Sequence, residues 1–373
     1  MGIQKLTDIS HYYGSNVDYV IAGGGNTSFK DETTLYIKGS GTTLSDICPE
    51  GFVKMDRAKL ARIWENAYPP DPDAREAAVL TDMMAARMPG EEQKRPSVET
   101  LLHDVLPFAY VVHTHPAIVN GLTCSQQGEQ AMTELFGEDA IWIPITNPGY
   151  ILSLEVKNAQ DAYTARRGKP ADIIFLQNHG VFVGADTTEA IDARYTRITG
   201  TLEKRIHKKP DFAHTSDAYR DSAKIGAVLA ELAGQAVFER NNEFARLTEN
   251  AAAFHPVSSA FTPDHIVYAG SDPLFIALTG GGAPADHIRD AWKKHVNRTG
   301  RAPKIAAVQG LGVFGLGQSE KTARLALELF TDTAKVAVYA EAFGGGRFMT
   351  ADKIDFINNW EVERYRSKVA ESK

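Results

Sequence analysis

Tyr110-Val111-Val112-His113-Thr114-His115-Pro116 reads as a β-strand carrying two imidazoles. Its β-branched content favours extended backbone, and Pro116 ends it. Alternate residues of a strand share a face, so His113 and His115 can converge. A second strand-like run, Asp172–Leu176, leads into Gln177-Asn178-His179-Gly180. A histidine at a strand end, followed by glycine, can project while the backbone turns. Three neutral imidazoles with an open position suit a catalytic zinc or another divalent cation, because the vacancy admits water or substrate. A His-x-His pair by itself is more often packing than a site. The surroundings add weight: a glycine-rich turn upstream and a carboxylate, Glu99, in between.

Glu99 follows Ser97, which is expected to cap a short helix carrying Glu99 and His103. A glutamate in a first helical turn is usually a dipole partner; beside a cation it can act as a general acid/base. Gly23-Gly24-Gly25-Asn26-Thr27-Ser28 and Lys38-Gly39-Ser40-Gly41-Thr42 can each present backbone N–H groups in a concave nest. Asn26, Ser28, Ser40, Thr42 and Ser97 add side-chain donors and Lys38 adds charge, a set suited to a phosphate monoester; the plain alternative is two glycine turns joining strands. Gly310-Leu-Gly-Val-Phe-Gly315 fits G-x-G-x-x-G after a strand. The segment around His179 has the same layout without that pattern, and the span that should bring an acidic residue at a strand end reads as helix. We therefore set a dinucleotide site aside.

Composition narrows the classes. With 373 residues, 43% hydrophobic and 23% charged, the chain can bury a core without disulfides. Cys48 and Cys124 are the only cysteines, too few for a cysteine-built metal site. A net charge of −7 gives nucleic-acid binding no electrostatic support. No run approaches the ~20 apolar residues of a membrane span, and no signal peptide is visible. The expected setting is cytoplasmic.

Outward from the histidines, Val17–Ile21 and Thr34–Lys38 read as strands joined through AGGGNTSF (22–29). Asp56 caps one helix, and Asp71-Pro72 opens another with Val79, Leu80, Met83, Met84 and Met88 as its buried stripe. Asp186-Thr-Thr-Glu189 forms a capping box that starts a helix to about His207. We divide the chain into a catalytic domain (1–210), a helical connector (211–258) and a second, smaller α/β unit (259–373). That unit has strands His265–Tyr268 and Lys304–Val308, helices Asp286–Asn297 and Ser319–Ala342, and a charged tail. IIFLQNHGVFVGADTTEA (173–190) resembles IAAVQGLGVFGLGQSEKTA (305–323), and VVHTHP (111–116) echoes YAGSDP (268–273) faintly. On this reading the second unit is a degenerate copy with Gly270, Asp272 and Leu311 in place of the three histidines.

The pieces GGGNTSFK (23–30), IKGSGTTL (37–44), RPSVETLLH (95–103), VVHTHP (111–116) and QNHGVFVGADTTEA (177–190) resemble the class II aldolase/adducin family, in the family's order across roughly residues 1–210. They are most similar to the aldolase part of bifunctional rhamnulose-1-phosphate aldolase/alcohol dehydrogenase proteins, which also share the RPS-x-ET-x-LH form and a W-E-x-E-like segment. The chain stops near where their dehydrogenase would start, so no dehydrogenase activity is expected. The resemblance implies a three-layer αβα fold with a largely antiparallel sheet. It implies zinc on His113, His115 and His179, proton transfer by Glu99, and substrate phosphate at Asn26, Ser40, Gly41 and Ser97. It also implies aldol cleavage of a ketose 1-phosphate such as rhamnulose 1-phosphate, and a homo-oligomer. Val98 departs from the fuculose-phosphate aldolases, which have a second serine there. The same scaffold supports sugar-phosphate 4-epimerases, decarboxylases and dehydratases, and non-catalytic adducin-like modules.

Overall fold

The computed structural model describes residues 2–215, 222–278 and 284–360. Chain contacts divide it into two units, 1–119 with 128–205, and 120–127 with 206–373. The first unit holds strands β1 (Asn26–Lys30), β2 (Thr34–Lys38), β3 (Phe52–Asp56), β4 (Tyr110–Thr114), β5 (Ile141–Ile143), β6 (Ile173–Leu176) and β7 (Gly180–Ala185) in one sheet of order β3-β2-β1-β4-β7-β6-β5. All neighbours are antiparallel except β5 and β6.

Side-chain alternation makes this sheet the middle of three layers. On one face Val111, Ile174, Leu176 and Phe182 pack on Leu102 of the helix Thr100–Val105 and on Leu152 and Val156 of the helix Tyr150–Arg167. On the other, Thr114 Oγ1 meets Tyr195 Oη of the helix Thr188–Arg205 at 2.8 Å, and Thr27 Oγ1 meets Ser10 Oγ of the helix Gly2–Gly14 at 2.6 Å. Toward β3, Leu35, Ile37, Val53 and Met55 bury Leu60, Val79 and Met83. Asp56 caps the helix Arg57–Ile63 and Asp71 the helix Pro72–Ala85, as their sequences predict.

Three local expectations move. Val17–Ile21 is a turn, and the strand lies later, at Asn26–Lys30; Asn16 bonds the backbone into the turn, with Tyr19 N and Val20 N both donating to its carbonyl. The helix at Thr188 is capped by Thr187, which accepts from Ala190 N at 3.2 Å, while Asp186 accepts from Ala109 N on the neighbouring connection. Ser97 does not cap a helix; it sits in the turn before one, and Glu99 occupies the cap position without a capping bond.

The second unit holds β8 (Gln235–Glu239), β9 (Leu274–Ile276), β10 (Ile305–Val308) and β11 (Gly312–Gly317) in the order β8-β11-β10-β9. Its core gathers Ile225, Leu229, Ile276, Trp292, Ala306 and Phe314. The stretch 211–258, read as a helical connector, contributes the edge strand β8 and the helix Ser222–Ala233 that packs in this core. Pairing with β11 makes Gln235–Glu239 extended within the stretch read as helical. His265–Ala269 is a π-helical turn rather than a strand, and the strand follows it at Leu274. The charged tail lies outside the described residues.

This sheet repeats half of the first. The order β4-β7-β6-β5, with two antiparallel contacts and then a parallel one, recurs as β8-β11-β10-β9. The hairpins share a register: Ile173 faces Val183 and Ile305 faces Gly315, through to Leu176 facing Gly180 and Val308 facing Gly312. Gln177 donates its N–H to Ile143 O and accepts from Ile145 N, and Gln309 does the same with Ile276 O and Leu278 N. The repeat corrects the alignment read from sequence. Val313 pairs with Glu239 as Val181 pairs with Thr114, so His113 matches Phe238 and His115 matches Arg240. The echo at 268–273 is not the counterpart of β4; only Leu311, opposite His179, stands as expected.

Candidate metal centre

β4 lies between β1 and β7, with His113 opposite Asn26 on one side and Phe182 on the other. His113 is fully buried, and its ring stacks on Phe182 with centroids 4.0 Å apart and planes 10° from parallel. Its Nδ1 is 3.0 Å from Val181 O. A carbonyl can only accept, so Nδ1 carries a proton, and in the neutral ring Nε2 holds the lone pair a metal ligand needs. β4 ends at Thr114, and His115 lies one residue beyond, its N–H donating to Tyr19 O. It keeps the same side of the sheet, with Nε2 at 2.9 Å from His113 Nε2.

His179 arrives from the β6–β7 hairpin. Asn178 adopts φ 56°, a left-handed conformation that asparagine tolerates better than most residues, and the reversal turns His179 toward β4. Gly180 is required for a different reason. A Cβ there would stand 2.5 Å from Thr114 O and 2.7 Å from His115 Cδ2, inside contact distance. The three ring centroids lie 4.7, 4.9 and 5.0 Å apart, and one nitrogen from each ring falls within 4.8 Å of the others.

Glu99, buried at 5% exposure, completes the group. Asn26 Nδ2 donates to Oε2. Oε1 stands 3.4 Å from His113 Nε2 and 3.6 Å from His179 Nε2, and no hydrogen bond from the described residues reaches it. A buried carboxylate oxygen without a donor is costly unless a positive charge lies nearby. Converged imidazole nitrogens next to such an oxygen are what a divalent cation fits: the nitrogens supply lone pairs and the carboxylate supplies charge. Behind them, His103 bonds Ser28 Oγ through Nδ1 at 2.7 Å and sits edge-on to Phe182. Burial, then the neighbouring His113, keeps its pKa well below the ordinary imidazole value. Phe182 and His103 support the site, yet nothing in their sequence spacing marks them; only the pairing of β1, β4 and β7 brings them together.

The phosphate set divides. Ser97 N donates to Lys38 O, and Ser40 N to Arg95 O, so Lys38–Gly41 runs beside Arg95–Ser97. Ser97 Oγ accepts from Glu99 N at 3.2 Å, which leaves its own proton to donate. Gly41 has φ 85°, the left-handed bend of a nest. Ser40, Gly41, Ser97 and Asn26 thus adjoin the Glu99 turn. Ser28 and Lys38 do not serve as expected. Ser28 has no exposed surface and is spent on His103. Lys38 Nζ is buried and donates to Gly23 O at 2.9 Å and Gly25 O at 3.1 Å, so its charge fastens the glycine turn.

The model of the class II aldolase and adducin N-terminal domain matches residues 4–196. The chain belongs to the class II aldolase and adducin family. Its seven-stranded unit is the class II aldolase fold, and the second sheet lies beyond the matched residues. Class II aldolases depend on a divalent metal, and His113, His115 and His179 are the group placed to bind one. The uncharacterized oxidoreductase YuxG of Bacillus subtilis (strain 168) is 22% identical over 415 residues, which take in 99% of this chain and 58% of that protein. The chain therefore spans less than two thirds of that relative. The N-terminal class II aldolase domain of a conserved protein from Thermoplasma acidophilum is 27% identical, over 55% of this chain and 93% of that one, with a TM-score of 0.46. The L-fuculose-1-phosphate aldolase of Thermus thermophilus is 16% identical, over 53% and 92%, with a TM-score of 0.32. Among the described residues no helix is long and apolar enough to cross a membrane.

At the matching place in the second unit stand Phe238, Arg240 and Leu311. Arg240 Nη1 donates to Gly310 O at 2.9 Å and Leu311 O at 2.5 Å. A guanidinium bonded to carbonyls replaces the imidazole set, and this position offers a cation nothing.

Proposed function

We propose that the chain is a metal-dependent class II aldolase, with zinc on His113, His115 and His179, that cleaves a ketose 1-phosphate such as rhamnulose 1-phosphate to dihydroxyacetone phosphate and an aldehyde such as lactaldehyde. The observation that supports this best is Glu99 Oε1, a buried carboxylate oxygen without a hydrogen bond among the described residues, 3.4 and 3.6 Å from two of the three converged imidazoles. A bound divalent cation supplies Lewis acidity toward a carbonyl and its adjacent hydroxyl oxygen.

The chain's own residues do the rest. In condensation, Glu99 takes a proton from the hydroxymethyl carbon of dihydroxyacetone phosphate; in cleavage it returns that proton to the same carbon. Asn26 holds Oε2, so Oε1 is the oxygen presented to substrate. Burial of Glu99 and His113 excludes water and strengthens each charge interaction at the site. Ser40, Gly41 and Ser97 receive the phosphate through the nest beside the Glu99 turn. The reaction breaks one carbon–carbon bond, is redox-neutral and needs no co-substrate. Kinship with the aldolase part of the bifunctional rhamnulose-1-phosphate proteins, a cytoplasmic setting and homo-oligomeric assembly belong to the same reading.

The test is a panel of ketose 1-phosphates and ketose 5-phosphates with zinc added, read by aldehyde release. Interconversion of pentulose 5-phosphates without aldehyde would replace the aldolase reading with an epimerase. Full activity of metal-free His179→Ala would remove the metal from the scheme.

A further inference from the structure

The second unit contains a cavity of about 260 Å³ that the proposed chemistry does not use. That is well beyond the roughly 10–15 Å³ a single water needs, and enough for a small metabolite. It lies beside the π-helical turn His265–Ala269 and the residues that lead into β10, at the end of that strand opposite Leu311. Ile266, Pro303 and Ile357 supply apolar wall.

Its polar groups are unevenly committed. Asp272, the acidic residue in the wall, is already held by Ser271 Oγ at 2.7 Å and Arg298 Nη1 at 3.3 Å. His295 lines the cavity with 4% exposure, and its ring has no hydrogen bond among the described residues. Burial and then the Arg298 charge push its pKa down, against a smaller upward pull from Asp272, so the ring is neutral and offers one donor and one acceptor. Arg301 also lines the cavity and forms no ion pair among the described residues. Among the described residues, a satisfied carboxylate, a guanidinium without an ion pair and a buried imidazole without a hydrogen bond leave the cavity with spare donors and positive charge. Those are the requirements of an anion, and the apolar wall leaves space for a carbon body.

The geometry points to a second small-molecule site, in which Arg301 and His295 bind the anionic group of a compact organic phosphate or carboxylate. Its lining comes from residues of the second unit, and the Gly270-Ser271-Asp272 turn forms part of its wall.

The test uses the full chain with histidine rings labelled for NMR, and His295→Gln to assign the His295 signal. Glycerol 3-phosphate and succinate are titrated separately, to tell a phosphate site from a carboxylate site. Saturable movement of the His295 signal by either probe supports the site, as does weakening by about tenfold or more in Arg301→Ala. Arg301 is exposed and its side chain bonds nothing among the described residues, so this variant should keep the fold. An unmoved His295 signal through the millimolar range with both probes would overturn the proposal. So would equal affinity in wild type and Arg301→Ala.

Discussion

Replacing Glu99 by glutamine removes a charge and a base while keeping the shape. Asn26 already donates to Oε2, and the glutamine carbonyl can accept that bond, so the side chain stays in place. The altered atom is the one at Oε1, 3.4 Å from His113 and 3.6 Å from His179, where no donor among the described residues holds it. Losing a positioned general base costs about 10²–10⁴ in rate, or roughly 3–5 kcal/mol of barrier. Losing the carboxylate charge also weakens attraction for a cation, so zinc is kept in excess and its content measured in parallel. The assay is exchange of the hydroxymethyl proton of dihydroxyacetone phosphate with D2O, followed by NMR. It reports the proton transfer directly and needs no knowledge of the aldehyde partner. Wild type should exchange that proton, and metal-loaded Glu99→Gln should do so at least about a hundredfold more slowly. Exchange within tenfold of wild type, with metal bound, would refute the role given to Glu99.

Gly180→Ala drives a methyl into Thr114 O and His115, so we expect about 1–3 kcal/mol lost in urea unfolding and weaker zinc binding by dialysis. Lys30 is buried with Nζ on His103 O, and burial lowers its pKa from 10.5 to about 7. Between those values the unfolded chain holds a proton that the folded chain does not. Stability should therefore rise as pH climbs from about 7 toward 10.5, by a few kcal/mol, and urea midpoints in Lys30→Met should lose that slope. Chelation should abolish aldehyde release, with one zinc per chain restoring it by metal analysis. Arg240→Ala should leave that stoichiometry unchanged and cost about 1–3 kcal/mol, because Gly310 O and Leu311 O lose a charged donor.

The convergence of the three histidines was legible because each sits where a simple rule applies: two on one face near a strand end, and one on a turn before glycine. β2, β10 and the helix caps at Asp56 and Asp71 followed from β-branched runs and capping residues for the same reason. The failures were tertiary. Ser28 and Lys38 carry the right groups for a phosphate, yet β1 and β2 direct them to His103 and to the glycine turn. β8 was hidden because its extended form depends on pairing with β11, 74 to 82 residues later. The false echo at 268–273 matched letters; the hydrogen-bond register located the true counterpart at Phe238 and Arg240.

That shared register works as a control experiment already carried out within one chain. β8, β11, β10 and β9 form the same frame as β4, β7, β6 and β5 with a phenylalanine, an arginine and a leucine at the three ligand positions. The strand order and register of that frame therefore do not by themselves require imidazoles, since the second sheet adopts them with none at those positions. One backbone pattern carries a cluster of lone pairs in one unit and a guanidinium clasped by carbonyls in the other.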